Sequence, residues 1–447
     1  METTQNRPIY KAAAIISYII GFIYLKYMCF GDSFCRSDFF RMHFGLRILI
    51  FAVIFVICTE LFAHKLGITY KALSEKNNSK VEPFIYMICI ALQSISLAVW
   101  HYHDDWEFIQ LLFWHFTIIY YVLARTGSLA AGRSGILFLL DCFQGFFTIP
   151  LSNIGLRFTS IFKKNETDKS PDETISKKSF LTLQHVITIT ISLFIALIVC
   201  LIAYSQLADA SKTFGKLGDK MYSDVIEFIN KGFFSSLYDN IACFLFSIPI
   251  SWYLFSLVAG GFKKGKPYCT DTQFEAETST LHRLPNYSAF IIIGSVCILY
   301  TVFLATSVYD FIYHKGLFAA TAHEASVRAV GSFYNLINVV LLNFAILAGS
   351  CIFSKKALWE EKISRILVTI LFAFAFCFAV LAACNLCGVY IALFGITPRR
   401  ILSSWVVMNI IIWCILMIIR FYKKIPAAQY GIILAAVSFS IIVCFKF

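Results

Sequence analysis

Long apolar runs separated by short polar loops repeat along almost the whole chain. Each run covers about 15–25 residues, close to the length that an α-helix needs to cross the hydrocarbon core of a bilayer. The pattern predicts an all-α fold, a polytopic transmembrane helical bundle of about 11 spans, with 10–12 compatible with the sequence. The predicted spans are residues 11–30, 45–63, 84–100, 106–124, 183–207, 241–260, 288–308, 333–353, 366–384, 401–419 and 430–444.

One segment, residues 130–162, departs from this pattern. Its apolar core is short, contains Asp141 and is followed by Pro150. A charged group inside a membrane segment is costly, and the core is shorter than a bilayer requires. The segment is therefore predicted to be re-entrant or interfacial.

A hydrophilic stretch, residues 163–180, predicts a cytoplasmic linker between two membrane halves. The N-terminal half, 1–162, holds about four spans, and the C-terminal half, 181–447, about seven. Within the latter, residues 209–232 place apolar and charged side chains on opposite sides of a helix, which predicts an amphipathic helix on the membrane surface.

Composition agrees with a membrane protein, since 59% of the residues are hydrophobic and 14% are charged. The net charge of +12 does not indicate nucleic-acid binding, because the basic residues cluster in short loops between apolar runs. Their distribution favours a cytoplasmic N-terminus. The first apolar run is long and lacks a small-residue cleavage site, so it is predicted to stay as a membrane helix.

The segment TAHEASVRAVGSFYNLIN, residues 321–338, leads from a charged start into an apolar helix. Spacings of four and three residues place five of its residues on one helical stripe. The stripe is therefore predicted to face other helices or a wet cavity. The five residues are Glu324, Arg328, Gly331, Asn335 and Asn338. Glu324 and Arg328 also have the spacing of a helical ion pair, and that pair alone accounts for both.

Three charged helix ends fall on the outer side in the predicted orientation. The first is the start of the helix that carries Glu324 and Arg328. The second is the HYHDDW loop, with His101, His103, Asp104 and Asp105, and the third is the arginine pair Arg399 and Arg400. If they converge, they form a polar vestibule that binds an anionic or zwitterionic group through arginine. The alternative is that each is an ordinary helix-end charge at the headgroup level.

The HYHDDW loop contains metal-ligating atom types but lacks a third anchored ligand elsewhere, so His101, His103, Asp104 and Asp105 are weak metal candidates and no metal is predicted. A solvated hairpin loop is the favoured interpretation, because loops of that length are usually connectors.

In GITPRRILSSW, Thr397 suits a helix N-cap and Pro398 the first helical position, which predicts a helix start. Arginines at that positive helix end favour a bound phosphate or carboxylate.

These last two passages carry a family resemblance. Residues 325–338 resemble the "YARrGFfeL…IN" passage, and residues 388–405 the "Y…YGLT.lR…W" passage, of an uncharacterised bacterial family of polytopic membrane proteins, domain of unknown function four-one-five-three, and its sister four-one-seven-three. Phe394, Ile396 and Ser332 depart from the pattern. The resemblance implies a bacterial cytoplasmic membrane protein and marks motif positions Arg328, Gly331, Asn338, Gly395, Thr397 and Arg400, but it implies no activity or cofactor.

The sequence presents no recognisable catalytic constellation. The leading hypothesis is a transporter-like or lipid-handling protein with an extracytoplasmic polar site, whose partners are the bilayer and a lipid or anionic small molecule. A non-catalytic sensor or assembly partner that contacts another membrane protein is the alternative. A membrane enzyme acting on a lipid-linked substrate ranks last.

Overall fold

The computed structural model describes residues 6–29, 44–75, 79–103, 106–162, 235–267, 286–310, 321–354 and 358–446, together with a few isolated positions between 220 and 282. The elements in these ranges are helices, which confirms the predicted all-α class. The chain divides into two compact units, Met1–Arg36 with Pro150–Ala259, and Ser37–Ile149 with Gly260–Phe447. The predicted linker, 163–180, and the amphipathic segment, 209–232, lie outside the described residues apart from Lys220, so the predicted halves stay a prediction.

The α-helices, numbered in chain order over the described ranges, are α1 Arg7–Ile23, α2 Phe44–Lys65, α3 Tyr70–Glu75, α4 Glu82–Trp100, α5 Glu107–Thr126, α6 Phe138–Phe143, α7 Ile149–Ser152, α8 Ile154–Phe162, α9 Ser235–Lys264, α10 Asn286–Asp310, α11 Ala322–Phe353, α12 Lys362–Ala383, α13 Ala392–Phe394, α14 Pro398–Tyr422 and α15 Ala427–Ile442. Three π-helical segments, Tyr24–Cys29, Gln144–Thr148 and Cys384–Ile391, continue α1, α6 and α12.

Eight of the described helices are long and apolar enough to cross a membrane, in α1, α2, α4, α5, α9, α11, α12 and α14. Two shorter apolar helices, Phe290–Thr306 within α10 and Ala427–Ile442, add to them. The predicted run 183–207 lies outside the described residues. The multi-pass helical bundle is confirmed, but the count of about 11 spans is not.

The ambiguous segment 130–162 is broken into short pieces, and none of the eight candidate spans lies in it. It begins with a 3₁₀ turn, Ala130–Gly132, in which Ala131 and Gly132 have positive φ values of 55° and 72°. Two consecutive residues in the left-handed region cannot continue a right-handed helix, so helical hydrogen bonding ends there. Its placement relative to the membrane stays a prediction.

The second unit contains a closely packed group of α2, α4, α5 and α15. α2 and α4 approach so closely that a Cβ added at Gly45 would overlap the backbone carbonyl of Leu97. Large aromatic side chains fill the interior, and Trp114, Tyr86 and Phe439 are each at most 1% exposed. Such contacts stabilise membrane helices through packing, because lipid offers no hydrophobic driving force between them.

α15 runs parallel to α4 within this group. At the start of both helices, the amide of Gln429 donates to Glu82 at 2.6 Å, and at their ends Ser96 donates to the carbonyl of Val443. α14 and α15 form an antiparallel hairpin in which the indole N–H of Trp405 donates to the hydroxyl oxygen of Ser438 at 2.9 Å. The start of α14 therefore lies at the end of the unit where α4 ends and α5 begins.

In the first unit, α1 packs against α8 and α9. The Tyr18 hydroxyl donates to the carbonyl of Phe244 at 2.8 Å, and Arg157 donates through Nε to the carbonyl of Ala14 at 3.1 Å. Gly21 lies against Ser251, so a Cβ there would come within 2.8 Å of that residue's backbone. These contacts hold the unit together without exposing a buried polar group.

Candidate functional site

The charged passage that begins α11 is capped in its first turn. Thr321 is extended, and its side-chain oxygen accepts the backbone N–H of Glu324 at 3.2 Å. This bond satisfies one of the N–H groups that a helix start leaves without an intrahelical partner. α11 then runs unbroken to Phe353, so the charged and apolar stretches belong to one helix.

The turn between α13 and α14 matches its sequence closely. Gly395 has a φ of 80°, which favours glycine, and reverses the chain after α13. α14 begins with Pro398 in its first turn after the extended residue Thr397, which confirms the predicted helix start. The Thr397 side chain makes no capping hydrogen bond, so the fixed φ of proline and the extended N-cap backbone define this start.

Arg400 closes this turn with its side chain. Its Nη1 donates to the carbonyl oxygens of Phe394 at 2.8 Å and Gly395 at 2.6 Å, and its guanidinium lies 3.8 Å from the centre of the Tyr390 ring. The carbonyls end the preceding helix, where the helix dipole is negative. Among the described residues no carboxylate forms an ion pair with Arg400, so its positive charge is held by neutral groups.

The two motif passages meet in space. Ala325 on α11 and Val389 form a buried apolar cluster against which Tyr390 and Phe394 pack. Tyr390 thus contacts the first turn of α11 on one side and Arg400 on the other. The sequence hypothesis that these passages lie at the same end of the bundle agrees with this arrangement.

His103 in the HYHDDW loop is buried and engaged with protein groups. Its Nε2 lies 3.0 Å from the carbonyl oxygen of Val443, its backbone N–H donates to Gln110 at 3.1 Å, and its ring packs edge-on against Trp106. His101 is exposed and has a positive φ of 62°. Asp104 and Asp105 lie outside the described residues. The environment of His103 is that of a residue that docks the loop on the end of α15.

Trp106 connects this loop to the arginine turn. It is fully buried, stacks on Phe439 of α15 and belongs to a cluster that includes Ile401 and Leu402, directly after Arg400. The HYHDDW loop and the starts of α11 and α14 therefore occupy one end of the second unit. That the charged side chains of these segments form one vestibule stays a prediction.

Most of the polar stripe on α11 is exposed. Glu324, Gly331, Asn335 and Asn338 are exposed and Arg328 is half-buried, and a Cβ added at Gly331 would meet no described atom within 4 Å. The inward face instead consists mainly of small and apolar side chains that pack on α12. Packing of the stripe against a helix or a cavity stays a prediction.

α11 also carries a buried polar residue, Asn343, that does not belong to the stripe. Asn343 accepts the Tyr300 hydroxyl at 3.1 Å and donates to the carbonyl of Leu371 at 3.1 Å, so it joins α10, α11 and α12. Inside a bilayer such side-chain bonds hold helices together. Its spacing from Ala329 and Leu336 on the apolar face is the signal that would have placed it inward.

An apolar groove of about 380 Å³ starts at the arginine turn and follows α14 and α15. Its walls include Ile396, Ile401, Trp405 and Met408, with Ser404 as one of few polar positions. Its mostly apolar lining suits a hydrocarbon chain. Ile396 and Ile401, which line it, flank Arg399 and Arg400 in the chain.

A second polar region, which sequence reasoning missed, surrounds Glu82 at the opposite end of α4. Glu82 is 1% exposed and accepts the Ser134 backbone N–H at 3.0 Å, the Ser134 hydroxyl at 2.7 Å and the Gln429 amide at 2.6 Å. Three donors satisfy the oxygens of this buried carboxyl group. Nothing in the local sequence identifies these partners.

Glu60 forms an ion pair that the sequence did not indicate. Its partner is Arg125 on α5, whose Nε lies 2.9 Å from Oε1 of Glu60. The hydroxyls of Tyr70 and Tyr121 also donate to this carboxylate, at 2.8 and 2.7 Å. Burial and the Glu60 charge raise the pKa of Tyr70, so the phenol stays protonated as a donor.

Asp141, singled out by sequence because a charge in an apolar run is costly, is fully buried on α6. The Ala130 backbone N–H donates to its Oδ1 at 2.7 Å. Burial raises the pKa of Asp141 to about 7, with a contribution from the nearby Glu82 charge. Within the described residues no group of three or more potential metal ligands occurs.

The long apolar helices, the membrane-length spans and the polar groups paired between helices define a multi-pass helical membrane protein. The family model described as Domain of unknown function (DUF4153) matches residues 87–445, which is more than half of the chain. The chain belongs to this family, as the two motif passages predict. Comparison with curated proteins found no match, and comparison with solved structures found none either.

Proposed function

We propose that this chain is a lipid-handling or transporter-like protein that binds an anionic phospholipid at the end of the bundle where α11 and α14 begin. The headgroup phosphate binds beside Arg399 and Arg400, and an acyl chain occupies the groove along α14. The protein resides in a bacterial cytoplasmic membrane with its N-terminus in the cytoplasm, which places the site on the outer leaflet. The basic-residue bias of the loops and the family resemblance support that orientation and location.

The observation that carries the proposal is the position of the Arg400 charge. Its described contacts are two carbonyl oxygens and an aromatic ring, none of which neutralises the guanidinium. The charge belongs to the first turn of α14, whose dipole adds to the positive potential, while the negative end of the preceding helix offsets only part of it. An anion at this position is therefore favoured by both terms.

The adjoining groove supports a lipid over a free anion. A phosphate alone would leave the apolar walls around Ile401, Trp405 and Met408 without a partner, whereas a phospholipid fills both parts. Burying one methylene contributes about 0.8 kcal/mol relative to water, but bilayer lipid supplies the same contacts. Preference among lipids should therefore come from the headgroup.

Native mass spectrometry of the detergent-solubilised full chain, titrated with phosphatidylglycerol or phosphatidylcholine, tests the headgroup contact. The wild type is expected to bind phosphatidylglycerol more tightly, and Arg400→Gln to reduce that preference about tenfold, the effect of losing one charge-assisted contact. Arg400→Lys keeps the charge and should keep most of the preference. Arg420→Gln, at the other end of α14, is the matched control. Equal binding of the two lipids by the wild type, or an unchanged preference in Arg400→Gln, would refute the proposal.

A serine pair tests the groove separately. Ser403 and Ser404 both donate to the carbonyl four residues earlier, at 3.0 and 2.8 Å, but only Ser404 lines the groove. Ser404→Leu is expected to weaken phosphatidylglycerol binding, and Ser403→Leu to leave it unchanged, with both variants checked for wild-type thermal stability. Equal binding by the two variants would contradict the acyl-chain position.

A further inference from the structure

The short helix α6 carries a carboxyl group that is buried but incompletely bonded. Asp141 is 0% exposed, and its Oδ1 accepts the Ala130 backbone N–H at 2.7 Å. No described residue hydrogen-bonds to its Oδ2. An ionised carboxylate with a single donor in a buried site is strongly disfavoured, whereas a protonated carboxyl replaces the second acceptor with an O–H donor.

The groups around Asp141 also favour its neutral form. α4 contributes the Glu82 carboxylate, a like charge, and the Tyr86 phenol; α5 contributes the Tyr120 phenol; and α6 itself contributes the Cys142 thiol. Among the described residues no lysine or arginine forms an ion pair with Asp141. Burial, with the Glu82 charge, outweighs the Ala130 hydrogen bond and raises the pKa of this carboxyl to about 7.

A second buried polar side chain follows one turn after Asp141. Gln144 is 1% exposed, and neither its amide nitrogen nor its amide oxygen has a hydrogen-bond partner among the described residues. A buried amide without partners is rare in native proteins, and it indicates a small ligand or water at the site. An amide both accepts and donates hydrogen bonds, so Gln144 can bind a water molecule in this buried position.

The loop that precedes α6 connects this carboxyl to Glu82. Its Ala130 N–H donates to Asp141, and its Ser134 N–H and hydroxyl donate to Glu82. Hydrogen bonds to an ionised acceptor are roughly twice as strong as bonds to a neutral one. The protonation state of Asp141 therefore changes the strength of the Ala130 hydrogen bond at one end of the loop, while the Ser134 bonds to Glu82 hold the other end.

We propose that Asp141, with Gln144, is a proton-binding site that exchanges its proton with water in step with movement of the 128–134 loop. On release the carboxyl O–H bond breaks, its electron pair stays on Oδ2, and the proton passes to water. In the protonated state the carboxyl is neutral and compatible with its buried position. The ionised state strengthens the Ala130 bond and recruits a further donor. This site is separate from the proposed lipid site and does not depend on it.

Infrared spectroscopy of the full-length protein in detergent tests the proposal through the carbonyl stretch of a protonated carboxyl. The wild type should lose one such band with a midpoint near pH 7, which corresponds to a proton affinity on the order of a thousandfold above that of an ordinary aspartate. Asp141→Asn should remove the band, and Glu107→Gln, an exposed acid, should leave it unchanged. If Asp141→Asn does not fold, Asp141→Glu serves instead and must shift the midpoint.

Two results would overturn the proposal. One is a wild-type titration in which no carboxyl band disappears between pH 6 and 8. The other is a midpoint that falls when sodium replaces choline as the buffer cation, because competition would identify a metal-cation site rather than a proton site. A midpoint that is the same in both salts and absent in Asp141→Asn supports it.

Discussion

Removing the Glu82 side chain should destabilise the second unit more than any change of an exposed acid. Glu82→Ala leaves the Ser134 N–H, the Ser134 hydroxyl and the Gln429 amide without their acceptor in a buried site. Each orphaned donor costs about 1–3 kcal/mol. The Ser134 hydroxyl can still bond to Tyr86, 2.7 Å away, so we expect a total loss of about 3–5 kcal/mol in the free energy of unfolding.

Thermal unfolding of the purified protein in one detergent, followed by tryptophan fluorescence, measures this effect. Glu82→Ala should lower Tm by about 5–10 °C, and Glu82→Gln, which keeps one acceptor oxygen, by roughly half as much. Glu107→Ala removes an acid from the first turn of the neighbouring helix, where it is exposed, and should change Tm by about 1 °C or less. A Glu82→Ala protein that melts with the wild type would refute the reasoning, since the donors left without an acceptor would then cost nothing.

Three further outcomes are expected in the same assay. Gly45→Ala should lower Tm by the equivalent of about 1–3 kcal/mol because its Cβ would overlap a backbone carbonyl of α4, whereas Gly331→Ala, with open space around it, should not. Tyr121→Phe should cost about 1–1.5 kcal/mol by removing the 2.7 Å bond to Glu60. Because the pKa of Asp141 is raised, the folded state binds more protons than the unfolded state between about pH 4 and 7. The stability that Asp141 contributes is therefore highest below this window. It falls as pH rises through the window, by on the order of 4 kcal/mol. Asp141→Asn should flatten that slope, and an unchanged slope would contradict the assignment.

Features that depend on neighbouring residues could be predicted from sequence. The apolar run 84–100 became α4, and the Thr397-Pro398 pair became the start of α14, because helix length and helix capping are set within a few residues. Asp141 could be singled out because an acid in an apolar run is costly wherever its partners are.

Features that depend on partners far along the chain could not be predicted. The ion pair of Glu60 has no local signal because its partner Arg125 lies 65 residues away. Glu82 appeared to begin an ordinary apolar helix because nothing nearby identifies Gln429 as a donor. Helical spacing does show which residues share a face, but it does not show which face meets another helix, and for that reason it missed the buried position of Asn343.

The parallel packing of α4 and α15 has a consequence for biosynthesis. Glu82 bonds to Gln429 and Gln93 bonds to Ser440, and in both pairs the second residue follows the first by 347 positions. At about 5–20 residues per second, a ribosome needs roughly 17–70 s to cover that distance. During this interval the early helices are already in the bilayer with polar side chains that await a late segment. A premature stop codon before α15 should therefore lead to degradation of the early helices as well, and an insertase or membrane chaperone that shields polar side chains should crosslink to α4 in stalled nascent chains.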